Sequence, residues 1–130
     1  MKHKQKKSQG FSLVEVLAAV GIIGIIAFLA IPNIVAIKED SERHLAITRA
    51  EGVNMGVASY IQANGREVVA DGWNTLNEDA RYAAIRPYLS FAPLSLDDYQ
   101  PSGYEITPPE DLRALQKAEL KPVDGEAFNY

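Results

Sequence analysis

From Phe11 to Ile37 the chain reads FSLVEVLAAVGIIGIIAFLAIPNIVAI, and Glu15 is its only formally charged residue. A helix needs about 20 apolar residues to cross a bilayer core, and this run is long enough. A helix apolar on every side belongs inside a large protein or a membrane. The run therefore predicts a membrane span, and Glu15 is the residue that needs explaining.

Charge gives the span a direction. Lys2, Lys4, Lys6 and Lys7 precede it with no acid among them. Taking those four lysines from the 13 basic residues leaves nine against 17 acidic ones, a balance of −8 for the rest. Basic residues stay on the cytoplasmic side of a span, so the N-terminus is expected in the cytoplasm and the acidic remainder outside. An acidic body is also the wrong partner for a phosphate backbone, and no nucleic-acid binding is expected. A cleaved secretory signal fits poorly, since its apolar core is typically about 7–15 residues and ends at an A-x-A-like site absent here. An uncleaved anchor explains the length of the run but not its glutamate.

The string KKSQG-FSLVEVLAAVGIIGIIAFLAIPNI resembles the prepilin signature of type IV pilins and type II secretion pseudopilins. It has a short basic leader, Gly10 before a cut, Phe11 as first mature residue, Glu15 as the fifth, and Pro32 where such helices carry a proline. The resemblance covers the first third of the chain. It implies cleavage by a prepilin peptidase between Gly10 and Phe11, N-methylation of Phe11, and residence in a bacterial inner membrane as a single-pass protein. It further implies extraction by an assembly platform and its ATPase into a filament of copies of this chain or related pilins, either a pilus or a secretion pseudopilus. Glycine suits the cut site because it lets the backbone extend into a protease cleft.

The resemblance also gives Glu15 a purpose. Phe11 and Glu15 stand four apart and are expected on one helix face. Near the membrane edge the carboxylate stays close to headgroups, but a buried unpaired charge in a filament core is strongly penalised. The new amine of a neighbouring Phe11 would be its partner and would set the stagger between subunits. Gly21 and Gly24 permit close helix approach, although glycine is common in spanning helices anyway. Pro32 removes a backbone donor, so Gly24 to Pro32 is a candidate stretch for kinking or local melting.

Beyond Pro32 the pattern becomes amphipathic. Ala46, Ala50, Val53, Val57 and Ile61 recur at helical steps, with Arg43, Arg49, Asn54 and Gln62 off that face. One helix is expected from about Ser12 to Asn64, stopped at Gly65. A second is expected from Thr75, with Thr75 and Glu78 as a capping box, ending near Pro87. Further on, GYEIT reads as a strand, PEDLRALQKAEL as a short helix, and EAFNY as a final strand after a DG turn. The expectation is a pilin-like α+β fold: leader 1–10, span 11–37, amphipathic half-helix 38–64, and an extracytoplasmic head 65–130.

There is no cysteine, so neither a disulfide clamp nor a thiolate site exists. Asp97, Asp98, Glu105, Asp111, Asp124 and Glu126 offer oxygen ligands for calcium but follow no loop pattern, and solvated carboxylates are expected, with no metal and no cofactor. His3 and His44 lack partners at ligand spacing. No nucleophile elbow, P-loop, dinucleotide fingerprint or zincin motif occurs, so no enzyme is expected. Trp73 and the tyrosines suit a small core, a ligand site or a subunit interface. The rival reading is a single-span anchored protein whose acidic head binds an extracytoplasmic ligand.

Overall fold

The computed structural model describes residues 10–114 and 116–130, so the expected leader lies outside the described residues except for Gly10. The molecule divides into two units, one ending at Glu39 and the other comprising Asp40–Tyr130. Helix α1, Leu13–Asn64, runs 52 residues and contains Pro32 without interruption.

In the first unit the side chains of α1 are exposed to solvent, with Ala30 half-buried. The most apolar stretch has a mean hydropathy of 2.7 and is 0 % buried. The second unit begins a different pattern: Ala46, Ala50, Val53 and Val57 turn inward as the periodicity predicts, with Ile61 half-buried. Gly65 then takes a positive φ of 84° and donates its N–H to the Ile61 carbonyl at 2.8 Å, the usual way a glycine ends a helix.

A helix absent from the sequence reading follows at once. α2, Arg66–Trp73, buries Val69, Ala70 and Trp73. The Trp73 indole N–H donates to the Pro109 carbonyl at 2.7 Å, and its ring lies 5.7 Å from that of Tyr60. α3 spans Glu78–Ile85, and its N-cap is Asn77 rather than Thr75. The Asn77 side chain accepts from Ala80 N–H at 2.8 Å, while the Thr75 hydroxyl donates to the Gly72 carbonyl at 2.7 Å. The Thr75 hydroxyl is thus engaged in closing α2, and the Asn77 side chain opens α3. A 3-10 turn over Arg86–Tyr88 follows at Pro87, where the sequence predicts the helix to end. α4, Leu96–Tyr99, also went unpredicted; Ser95 caps it.

β1, Tyr104–Thr107, falls where GYEIT was expected. Its partner does not: β2 is Glu119–Pro122, antiparallel, with Ile106 opposite Leu120. The helix expected over PEDLRALQKAEL is not formed among the described residues, and the strand expected in EAFNY is not formed either. Two causes are visible. The Asp111 carboxylate accepts from the Arg113 N–H at 2.9 Å, a local turn that competes with helix. Leu120 meanwhile gains burial by pairing with Ile106, both 1 % exposed. The tail instead returns by one ladder-like bond, Phe128 N–H to the Leu120 carbonyl at 3.2 Å.

The core of the second unit joins one face of α1 to Trp73, Tyr82, Ile85, Leu96, Tyr99, Ile106, Leu112 and Leu120. Two α1 residues expected to point away are drawn into it. Arg49 lies over the Tyr99 ring at 4.9 Å, and Tyr99 donates to the Arg49 carbonyl at 3.3 Å. Asn54 donates to the Tyr130 hydroxyl at 2.9 Å and accepts from Ala118 N–H at 2.7 Å, while Tyr130 donates to the Ala118 carbonyl. Three groups far apart in sequence thereby close a ring where no disulfide is possible. Burial pushes the Tyr82, Tyr99 and Tyr130 hydroxyls above their ordinary pKa.

One segment is strained. Phe91 takes φ 52°, a left-handed conformation that a bulky residue rarely adopts, yet its side chain is fully exposed at 103 %. The loop that holds it is fixed. Tyr82 donates to the Pro93 carbonyl at 2.7 Å, and Arg86 Nε donates to the same carbonyl at 3.0 Å.

Candidate functional site

The N-terminal residues singled out by sequence come together at the start of α1. Gly10 and Phe11 are exposed and precede the helix. Phe11 is therefore not on a helix face with Glu15, as its spacing predicts. The reason is Ser12: its hydroxyl accepts from the Glu15 N–H at 3.2 Å, and its carbonyl accepts from the Val16 N–H at 3.1 Å. Ser12 is the N-cap. The signal was legible, because Ser12 to Glu15 is itself an S-x-x-E pattern, the same rule applied at Thr75.

A cap at Ser12 places Glu15 in the first turn of α1, where backbone N–H groups carry partial positive charge and favour a carboxylate. An amine on Phe11 would add a full positive charge one residue before that cap. Glu15 is the only acid among residues 11–37, so it is the group of this segment able to answer both charges.

Gly10 has open space around the position a Cβ would take, and its φ is not in the left-handed region. The chain's own fold does not require glycine there; any requirement comes from whatever handles the segment from outside. Gly21 and Gly24 are likewise open, and so is the apolar surface about them, with Phe11 87 %, Phe28 76 % and Leu29 66 % exposed. Such side chains each gain about 1.5–3 kcal/mol on leaving water. This surface has the composition of one meant to be covered by lipid or by other chains.

In the second unit the acidic residues considered for calcium are dispersed. Glu105 pairs with Lys121 at 3.0 Å, Asp97 accepts from Gln100 at 3.3 Å, and Asp111 is held by Arg113 N–H. Among the described residues no three His, Asp or Glu side chains are grouped to hold a metal ion. Trp73 and Tyr82 are buried in the core.

An apolar helix capped by serine, a few short helices and a two-stranded antiparallel sheet are consistent with a pilin-like α+β architecture. The chain carries the prokaryotic N-terminal methylation motif, whose family model matches residues 5–31. It is similar to the type II secretion system core protein G of Vibrio cholerae serotype O1, 40 % identical over 45 residues, which is 35 % of this chain and 31 % of that protein. It is also similar to the type II secretion system core protein G of Aeromonas hydrophila, 25 % identical over 108 residues, 83 % of this chain and 69 % of that one. The first match thus spans about a third of the relative's length. No solved structure matches the chain.

Proposed function

We propose that this chain is a structural subunit of a type II secretion pseudopilus, made as a membrane-anchored precursor. The observation that carries this is the apolar half of α1: it bears the methylation motif and is 0 % buried. The similarity to core protein G over most of the chain favours the pseudopilus over an adhesive pilus.

The sequence of events is the one that the resemblance to prepilins implies. The lysines hold the leader in the cytoplasm while the span inserts, with the acidic body outside. A prepilin peptidase cuts between Gly10 and Phe11, and the new N-terminus of Phe11 is methylated. An assembly platform and ATPase, separate from this chain, then draw α1 from the inner membrane into a filament of like subunits. There Glu15 of one copy meets the Phe11 amine of the next, and the Gly24 to Pro32 stretch is where the helix bends or unwinds to fit. The role is structural rather than catalytic.

Intact-mass analysis of the chain extracted from host membranes tests this. The mature species should lack residues 1–10 and begin with methylated Phe11, and a bulky residue at Gly10 should block the cut without blocking insertion. A mature chain that retains Met1 would sink this function and leave the rival, an uncleaved anchor for a binding head.

A further inference from the structure

The β1–β2 sheet has two outer edges, and unpaired groups along an edge are a template for strands of other chains. Register fixes which groups face outward. Tyr104 stands opposite Pro122 and Glu105 opposite Lys121, and the Val123 N–H donates to the Gly103 carbonyl at 3.0 Å. Hydrogen-bonded and non-bonded pairs alternate along an antiparallel ladder. Tyr104 and Ile106 in β1, and Leu120 and Pro122 in β2, therefore turn their backbone groups away from the partner strand.

This chain covers both edges itself. On β1 the Ile106 N–H donates to the Gln100 side-chain oxygen at 2.9 Å, and the Tyr104 N–H donates to the Pro101 carbonyl at 3.2 Å. On β2 the Leu120 carbonyl accepts from the Phe128 N–H at 3.2 Å, and the Pro122 carbonyl accepts from the Gly125 N–H at 3.1 Å. Pro122 has no donor to offer, which suits an edge. Ala118, just before β2, donates its N–H to the Asn54 side-chain oxygen, and its carbonyl accepts from the Tyr130 hydroxyl.

The cover of β1 comes from the turn beside it, whereas the cover of β2 is the tail, and the tail is held by few fastenings. Residues 126–130 form no helix or strand, and Glu126, Ala127 and Asn129 are exposed. A cleft of about 770 Å³ separates the tail from Thr107, Pro108 and Pro109, so the segment arches over the body instead of packing flat on it. What holds it is directional. The Tyr130 hydroxyl accepts from Asn54 at 2.9 Å, Lys117 Nζ donates to the Tyr130 carbonyl at 2.8 Å, and the Arg43 guanidinium lies 4.5 Å from the Phe128 ring centre. Segments with little buried surface and exposed polar fastenings open locally while the rest of a domain stays folded.

We propose that the tail is a latched cover for the outer edge of β2, with Tyr130 as the latch. Closed, it keeps β2 from pairing with other chains. Unlatched, it gives up the Phe128 bond to Leu120 and opens an edge that β2 of a second copy of this chain can join. The device belongs to the folded head and stands whether or not the chain enters a filament.

A chain without cysteine allows a direct test. Glu119→Cys places one thiol at an exposed position of β2 in the detergent-solubilised full chain. Two antiparallel copies of β2 paired about Leu120 would set these thiols diagonally across the ladder, about 7–8 Å apart, within reach of a short bismaleimide. Tyr130→Phe, which keeps the ring and removes the hydroxyl, would be added to it. Tail amides should then exchange hydrogen at least about tenfold faster, as loss of a buried hydrogen bond shifts a local opening. A crosslinked dimer should appear that Glu119→Cys alone does not give. Lys117→Gln loosens the same tail from an exposed position and should give the same dimer in smaller yield, which keeps the test open if Tyr130→Phe fails to fold. Tyr82→Phe loses a hydroxyl bond to the Pro93 carbonyl instead and should give no dimer. Fast-exchanging tail amides without a dimer, or tail amides in Tyr130→Phe as protected as in wild type, overturn the latched cover. As much dimer from Tyr82→Phe, or from Glu119→Cys alone, overturns it as well.

Discussion

Gly21 and Gly24 in the first half of α1 have open space where a side chain would begin, whereas Gly52 and Gly56 in the second half do not. A Cβ on Gly52 would collide with the Tyr99 hydroxyl, and one on Gly56 would stand 2.8 Å from Leu89 Cδ2. The same helix thus contains two kinds of glycine. Those in the second half are explained by the chain's own packing. Those in the first half find no explanation inside the chain, just as the apolar side chains around them find no cover. A residue type in one helix carries different information depending on whether the fold has already used it.

The sharpest way to break this contrast is at Glu15. Glu15→Ala should still insert and still be cut, since the lysines, the apolar run and Gly10 are unchanged. Filament yield by shearing should collapse, because losing one partner of a buried pair costs about 3–5 kcal/mol and every subunit repeats the loss. Normal filaments would reduce Glu15 to a charge tolerated at the membrane edge. Failure at the cutting step would assign it to the peptidase instead.

Glycine replacement probes the halves directly. Gly56→Val should destabilise the head by about 1–3 kcal/mol, the usual range for overpacking. Circular-dichroism melting of the detergent-solubilised chain should show it. Gly24→Val should leave that melt unchanged while reducing assembly. Equal melting losses from both would mean that the first half of α1 packs within the chain after all.

A comparable effect belongs to the ring at Asn54. Asn54→Ala strips a partner from the Ala118 N–H and from Tyr130, and stranded polar groups typically cost about 1–3 kcal/mol. The melt should fall, and the tail should exchange its amide hydrogens faster, with no change in insertion or cleavage.

The smallest effect is alkaline. Burial raises the pKa of Tyr82, Tyr99 and Tyr130 in the folded head, so the unfolded chain loses those protons first. Their contribution is complete below about pH 10, the ordinary tyrosine value, and declines as pH rises through the folded-state values. Lys121, raised by its hydrogen bond to Glu105, acts in the same direction. Denaturant midpoints should be flat to about pH 10 and drop beyond it.

Much of this was legible before any coordinates. The run from Phe11 to Ile37, the inward face at Ala46, Ala50, Val53 and Val57, and the strand at Tyr104–Thr107 each carry a local pattern strong enough to stand alone. The misses share a cause. Glu119–Pro122 buries one residue of its four, Leu120, so its strand character resides in the partner opposite it. Asn77 was overlooked because the S/T-x-x-E rule favoured Thr75, whose hydroxyl the previous helix had claimed. Ser12 obeys the same rule, but it stands at the edge of an apolar run where no polar turn marks the start of the helix. At the candidate site the sequence names Gly10, Phe11 and Glu15 as expectations, but it did not reveal that Phe11 lies outside the helix. The left-handed backbone at Phe91 was invisible, since backbone strain leaves no mark in composition.

The ring joining Asn54, Ala118 and Tyr130 also orders events in time. Its bonds span 76 residues from Asn54 to Tyr130 and 64 from Asn54 to Ala118, and contacts between such distant points form late because the intervening loop must first be ordered. Helices can form as soon as their residues are made, and the β1–β2 pairing closes over a short loop. The clasp waits for Tyr130. While the chain is being made its head is therefore still unfastened, and it reaches full stability only once the segment around Tyr130 has been added.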